Sequence, residues 1–252
     1  MMIKKIWAAS FSPTGGTEHI VSLLAEEMGK CLKLPVHKIS FTLPDERKKS
    51  CTFTEEDLLI LGTPVYAGRI PNKILPDVDR SFEGNGTLAV AARHAFSDDI
   101  GAGRPDKQDE EELRVFARKA AEKIREFSGE EKIVSGNKAA CGVSALQITG
   151  HNPVGPYYTP LRADGQPAKF LKAKPVTDEN LCNRCGTCAQ VCPMGSISRE
   201  DPSVVNGICI KCQACIRSCP AQAKHFEDED FLSHVEMLRE HYTRRAANAF
   251  FL

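Results

Sequence analysis

The stretch "IKKIWAASFSPTGGTEHIVSLLAEEMGKCLKLPVHKISF", residues 3–41, sets the architecture of the first half of the chain. A short apolar run over 3–8 enters a turn rich in hydroxyls and glycine. Ile20, Leu23, Leu24, Met28 and Leu32 then follow helical spacing, with Gly29 near the point where a helix can stop. A second short apolar run covers 34–41. Working outward, 57–65 is close to a continuous apolar run, as expected of a strand buried on both faces of a parallel sheet. Residues 87–92 read as one more strand. A short helix is expected over 72–79. A longer one is expected over 108–127, with Leu113, Phe116, Ala117, Ala120, Ile124 and Phe127 on one face. Strands alternating with helices imply an α/β doubly wound parallel sheet.

The turn inside that first unit, "SPTGGT" (12–17), has a chemistry of its own. It lacks the lysine of a G-x-x-x-x-G-K-[ST] loop and is not G-x-G-x-x-G, so neither a nucleoside triphosphate nor a dinucleotide pyrophosphate is favoured. What remains is a strand, a hydroxyl-rich turn and a helix N-terminus. Outward N–H groups and the helix dipole there suit a terminal phosphate monoester held without a metal. Ser, Thr and Gly also serve as plain caps and turns, and this shorter reading competes with the first.

The 252 residues carry 33 basic and 33 acidic side chains, a formal charge of +0, so no bulk field points to nucleic acid or an anionic membrane. No apolar run approaches the ~18 residues that a membrane span needs. "MMIKKIWAAS" is too short in its apolar part for a secretory segment, and a cytoplasmic protein is expected. From about 130 the pattern changes. Residues 149–175 hold five prolines among glycines and polar residues, which reads as an extended arm. Eleven cysteines follow an uneven distribution: eight lie between Cys182 and Cys219. Without an export signal, clustered cysteines point to metal or redox chemistry before disulfides.

Those eight form a repeat. "CNRCGTCAQVCP" places Cys182, Cys185, Cys188 and Cys192, and "CIKCQACIRSCP", beginning 27 residues later, places Cys209, Cys212, Cys215 and Cys219. Both are C-x-x-C-x-x-C-x-x-x-C-P, an internal duplication. Zinc usually takes paired C-x-x-C units with longer gaps. Cys31, Cys51 and Cys141 have no partner spacing and read as incidental thiols. Around the repeat, Arg184, Arg199, Lys211, Arg217 and Lys224 stand against Asp178, Glu179, Glu200 and Asp201, a balance that reveals no partner. The tail 227–252 is expected to be an amphipathic helix with Phe231, Leu232, Val235, Leu238 and Tyr242 on one face and Arg244 and Arg245 suiting its dipole.

The duplicated segment, about 176–226, resembles bacterial two-cluster ferredoxins. In those the fourth cysteine of each run serves the other cluster. The resemblance therefore implies one [4Fe-4S] cluster on Cys182, Cys185, Cys188 and Cys219 and a second on Cys209, Cys212, Cys215 and Cys192. The turn S-x-T-G-x-T (Ser12, Thr14, Gly15, Thr17) resembles the phosphate loop of flavodoxins, which bind FMN. "GTPVYAGRIP" (62–71) looks like their loop whose aromatic residue covers the flavin ring. Ser12, Thr14, Gly15, Gly16 and Thr17 would then hold the phosphate, and Pro64, Tyr66, Ala67 and Gly68 the ring system. The order of parts is similar to a flavodoxin–ferredoxin fusion family of anaerobic bacteria and archaea: a flavodoxin-like domain over 1–130, a linker over 131–175, a ferredoxin domain over 176–226 and the tail helix. One departure stands out. After Pro71 there is room for a short helix, one strand and the last helix, so the sheet is expected to lack one α–β unit. Arg93, His94 and Phe96 would partly fill the gap.

The family implies an electron carrier that passes electrons between two [4Fe-4S] clusters and an FMN, with no proton-transfer residue needed. Two alternatives stay open. One is an oxidoreductase that reduces its own small molecule at the flavin, with Tyr157 and Tyr158 lining its pocket. The other is a ferredoxin whose α/β domain is a flavin-free docking module.

Overall fold

Strand β1 (Lys5–Ser10), helix α1 (Gly16–Leu32) and strand β2 (Val36–Ser40) form the first unit of the computed structural model, which describes residues 3–66, 70–83, 87–93, 103–127 and 158–250. The helix runs through Gly29 to Leu32, and the chain turns at Lys33 in the left-handed region. Its buried face is Val21, Leu24, Ala25 and Met28, with Ile20, Leu23 and Leu32 at the margin.

Two two-residue strands, β3 (Cys51–Thr52) and β5 (Phe82–Glu83), pair with each other apart from the main sheet. Strands too short to show a period leave no sequence signal. β4 (Asp57–Val65) and β6 (Thr87–Arg93) complete a four-stranded parallel sheet of order β2-β1-β4-β6 among the described residues. This is the 2-1-3-4 portion of the open flavodoxin-like order. The order reverses between β1 and β4, whose registers align Ser10 with Gly62.

One face of the sheet packs Ile6, Ala8, Leu58 and Ile60 against α1 and against helix α3 (Lys107–Phe127), through Leu113, Phe116, Ala117 and Ala120. The other face packs Ala9, Leu59 and Leu61 with Phe11, Phe41, Phe53, Ile74 and Val78 of helix α2 (Leu75–Ser81). Met194 and Ile210, from the cysteine-rich segment, close this second layer. Trp7 lies in it too, and its indole N–H donates to Asp57 (2.8 Å). Burial is the largest single influence on that carboxylate and pushes its pKa up. The bonds from Thr54 and Trp7, with the Lys5 charge, together outweigh it and bring the pKa down to about 2.

The cysteine-rich segment repeats its backbone as well as its sequence. Helix α4 (Thr187–Gln190) and helix α5 (Ala214–Arg217) lie 27 residues apart. So do three pairs of left-handed positions: Arg184 and Lys211 (φ 57° and 58°), Gly186 and Gln213 (74° and 61°), Gly195 and Gln222 (60° and 53°). Strand β7 (Val176–Thr177) pairs antiparallel with strand β8 (Lys224–His225), joining the two ends of the duplicated region.

The tail departs from the expected helix over 227–252. Helix α6 covers Glu229–His241, capped by Asp228, whose side chain accepts the Phe231 N–H (2.9 Å). Residues beyond it leave the helix and return to α3. Arg245 pairs with Asp106 and Asp109, Asn248 donates to Asp109 (2.9 Å) and Glu112 (2.7 Å), and Phe250 stacks on Phe116 (4.9 Å). These tertiary partners, not the helix dipole, use Arg245. The buried face of α6 is also different: Phe231, His234, Val235 and Met237 are buried, while Leu232 and Tyr242 are about half exposed. That face docks on the described part of the proline-rich arm, 158–175. His234 Nδ1 meets Leu161 O (2.7 Å), Phe170 packs edge-on to Phe231 (5.4 Å), and Lys169 N–H donates to Asp230 (2.6 Å). No helix among the described residues is long and apolar enough to cross a membrane.

Candidate functional site

The cysteines line two separate cavities. Cys182, Cys185, Cys188 and Cys219 line the first, with Thr177, Thr187 and Lys224 among its other walls. Cys192, Cys209, Cys212 and Cys215 line the second, with Met194, Ile197, Ile210 and Phe226. Each quartet takes three thiols from one run and the fourth from the other. Among the described residues, no three His, Cys, Asp or Glu side chains are placed to hold a single metal ion. The thiols ring a space instead of meeting at a point. That suits a multi-atom group and not tetrahedral zinc, which draws its sulfurs to ~2.3 Å.

Short loops aim backbone donors at these sulfurs. Ser196 N–H donates to Cys192 Sγ and Ala223 N–H to Cys219 Sγ, both at 3.3 Å and again 27 residues apart. Lys211 N–H donates to Cys209 Sγ (3.4 Å), and the Thr187 hydroxyl meets Cys185 Sγ (3.3 Å). The Thr187 contact lowers the pKa of the exposed Cys185. Burial does the opposite in the second cavity, pushing Cys212 and Cys215 up to about 12. A cluster taken up there must displace thiol protons, so binding and deprotonation are one event.

The turn between β1 and α1 sits at the carboxyl end of the sheet, at its switch point. Gly15, with φ 85°, turns the chain into the helix, and a Cβ at Gly15 or Gly16 would meet nothing within 4 Å. The loop therefore faces open space. Ser12 Oγ accepts the Glu18 N–H (2.9 Å), and Ser12 N–H donates to Thr42 Oγ1 (2.8 Å). The first-turn N–H groups of Gly16 and Thr17 have no acceptor within the helix. Thr17 is buried against the sheet. Pro64 is buried inside β4, opposite Ala92. Tyr66 ends that strand with its hydroxyl buried. Burial, and then the nearby Cys212 sulfur, push its phenol above the usual range. Ala67, Gly68, His94, Phe96, Tyr157 and Cys141, and the Arg93 side chain, lie outside the described residues.

Tyr66 thus joins the two halves of the molecule, and Arg47 does so more firmly. Its guanidinium donates to Thr42 O (2.5 Å) and to Pro193 O (2.7 Å), the residue after Cys192, and pairs with Asp77 (2.9 Å). The second cavity is therefore the one built against the sheet. Met194 and Ile210 line it and at the same time pack on the sheet core.

Comparison with known proteins bears on the cysteine segment directly. The 4Fe-4S binding domain family matches at residues 175–198, and a second 4Fe-4S binding domain family at 206–222. The C-terminal part carries two 4Fe-4S binding motifs. No curated protein matches the chain. Among solved structures, a flavodoxin from the domain Archaea matches at 15% identity and a TM-score of 0.33, over 48% of this chain and 99% of that one.

The eight cysteines stand out in the sequence by their spacing, whereas two charged residues near them do not. Arg47 is hidden in the polar run "DERKKS" and acquires its role only through tertiary contact. Lys224 was legible in principle. Overlaying the repeats puts it where the first copy has Ile197, an exchange of an apolar residue for a cation.

Proposed function

We propose that this chain is an electron-transfer protein that holds two [4Fe-4S] clusters, on Cys182, Cys185, Cys188 and Cys219 and on Cys192, Cys209, Cys212 and Cys215, and an FMN on the α/β unit. The observation that carries the reading is the crossed grouping of the eight cysteines around two cavities, three thiols from one run and the fourth from the other in each. The donor sets fit: four thiols each, with N–H groups directed at the sulfurs where anionic charge must be stabilised.

For the flavin, Ser12, Thr14, Gly15, Gly16 and Thr17 would hold the phosphate, and Pro64, Tyr66, Ala67 and Gly68 the ring. The open space beside Gly15 and Gly16 supports this. When bound, the clusters supply one-electron storage and FMN supplies exchange between one- and two-electron carriers. The chain's own residues do the rest. Met194 and Ile210 keep water from the second cavity, and Tyr66, just after β4, lies within electrostatic range of its Cys212. This makes the second cavity the inner one. The first, with its exposed Cys185, faces outward, toward a one-electron carrier protein.

Anaerobic preparation with iron and sulfide tests the reading. Iron at about eight per chain, with about one acid-released FMN, is expected. A colourless or zinc-bearing protein overturns the cluster assignment. Full iron without flavin overturns the flavin half and leaves a ferredoxin with a docking domain.

A further inference from the structure

The first cavity contains two polar groups that its thiols do not explain. Lys224 is 3% exposed, yet among the described residues its ammonium has one hydrogen bond, to Pro202 O (2.6 Å). Among the described residues no carboxylate lies within ion-pair distance of it. Asp201 is within electrostatic reach, but its carboxylate is bonded to Ser203 (2.7 Å). Thr177 lies directly across from Lys224 in the β7–β8 pair, and its hydroxyl is buried without a hydrogen-bond partner among the described residues. Both residues line the cavity with Cys182, Cys185, Cys188 and Cys219.

A buried ammonium without a counter-charge and a buried hydroxyl without an acceptor are each costly. They become sensible together if the cavity holds an anion rich in weak acceptors. Four thiolates around an iron–sulfur core are such an anion, and it gains negative charge on reduction. Lys224 also lies within electrostatic range of Cys188 and, more distantly in function, of Cys215 in the second cavity. Its counterpart in the first repeat, Ile197, lines that second cavity and is apolar. The second cavity has cations of its own within electrostatic range, Lys211 and Lys174 beside Cys209, so what sets the first apart is a cation buried in its wall.

We propose that Lys224 and Thr177 are positioning residues for the group bound by Cys182, Cys185, Cys188 and Cys219: Lys224 is its buried counter-cation and Thr177 donates a hydrogen bond to its sulfur, so that this cluster is reduced more readily than it would otherwise be. The proposal rests on the cluster reading above. The transfer it concerns is of one electron from an external one-electron carrier to the cluster, with no bond made or broken.

The test is a redox titration of the full-length, iron-loaded protein, followed by electron paramagnetic resonance, for the parent and for Lys224→Met, Lys224→Arg and Thr177→Val. In Lys224→Met one wave is expected to lose about tenfold in its reduced-to-oxidised ratio, about 59 mV for a one-electron couple, and the other wave less. Lys224→Arg restores the parent value, and Thr177→Val moves the same wave in the same direction by less. An iron-replete Lys224→Met with both waves at parental potentials overturns the proposal. If Lys224→Met fails to load iron and Lys224→Arg loads it, charge is the requirement, since methionine matches the side chain's length; failure of both variants to load overturns it in favour of a steric role. A parent protein with no iron–sulfur waves overturns the cluster reading itself.

Discussion

At Arg47 one guanidinium closes a gap between two units. It spans the loop after β2, Asp77 of α2 and the Pro193 carbonyl, and it is 6% exposed. Replacing it with methionine removes the charge it gives Asp77 and the donors it gives the Phe41, Thr42 and Pro193 carbonyls. Breaking a buried pair in this way costs about 3–5 kcal/mol. Arg47→Met is therefore expected to shift the denaturation midpoint strongly, whereas Arg47→Lys recovers part of the loss because one donor cannot serve all the acceptors. Urea unfolding followed by circular dichroism checks this; equal stability in all three proteins would remove Arg47 from its structural role. At this scale the sequence was legible where chemistry is written in spacing. The cysteines announce themselves by their intervals. Arg47 does not, because Pro193 O is a backbone atom that any residue could supply, and Lys224 stands out only when the two repeats are overlaid.

Among the elements, the contact between β4 and α1 governs the turn at the end of β1. Gly62 faces α1 so closely that a Cβ would stand 2.2 Å from Val21 Cγ2 and 3.0 Å from Thr17 Cγ2. Gly62→Ala is expected to cost roughly 1–3 kcal/mol by overpacking and to push the first turn of α1 outward, weakening the FMN binding proposed for it. Val21→Ala in the same chain makes room and returns both. Flavin retention through gel filtration and thermal unfolding measure the two effects; an alanine at 62 that alters neither shows the strand–helix distance to be slack. The long elements α1, β4 and α3 are readable because a dozen or so residues repeat one pattern. β3, β5 and the end of α6 are not. Two-residue strands have no period, and α6 stops where Arg245, Asn248 and Phe250 find partners on α3 that helical propensity does not register.

For the whole molecule, the return of residues 242–250 to α3 joins the last described segment to the first unit. Its centre is Asp109. The Arg104 guanidinium, helped by the Asp106 N–H and Asn248, holds that carboxyl well below the usual carboxylate range, and Arg245 does the same for Asp106. A depressed folded-state pKa gives stability that is present above the unfolded value and lost as the pH falls through the folded one. The strap is therefore expected to hold at neutral pH and to weaken as the pH falls below ~4, the ordinary aspartate value. Amide hydrogen exchange across 242–250 follows this directly. Asp109→Asn should raise exchange there at neutral pH and leave β1 unchanged; equal protection in the variant would show that Arg245–Asp106, Asn248–Glu112 and the Phe250 stack hold the tail without Asp109. The sequence repeat and the parallel sheet with its helices could both be anticipated from the chain. The seating of the second cavity on the sheet could not, because Met194 and Ile210 carry no pattern that names their target.

Trp7 is the chain's only tryptophan, and it sits in the layer that Met194 and Ile210 close from the side of the second cavity. Its emission therefore reports from a single, known place. An iron–sulfur chromophore absorbs broadly across the near ultraviolet and drains excitation from a nearby indole. Loading the inner site should darken the protein's fluorescence, and stripping the iron should restore it, so the molecule carries an optical gauge of its own metallation without any added label.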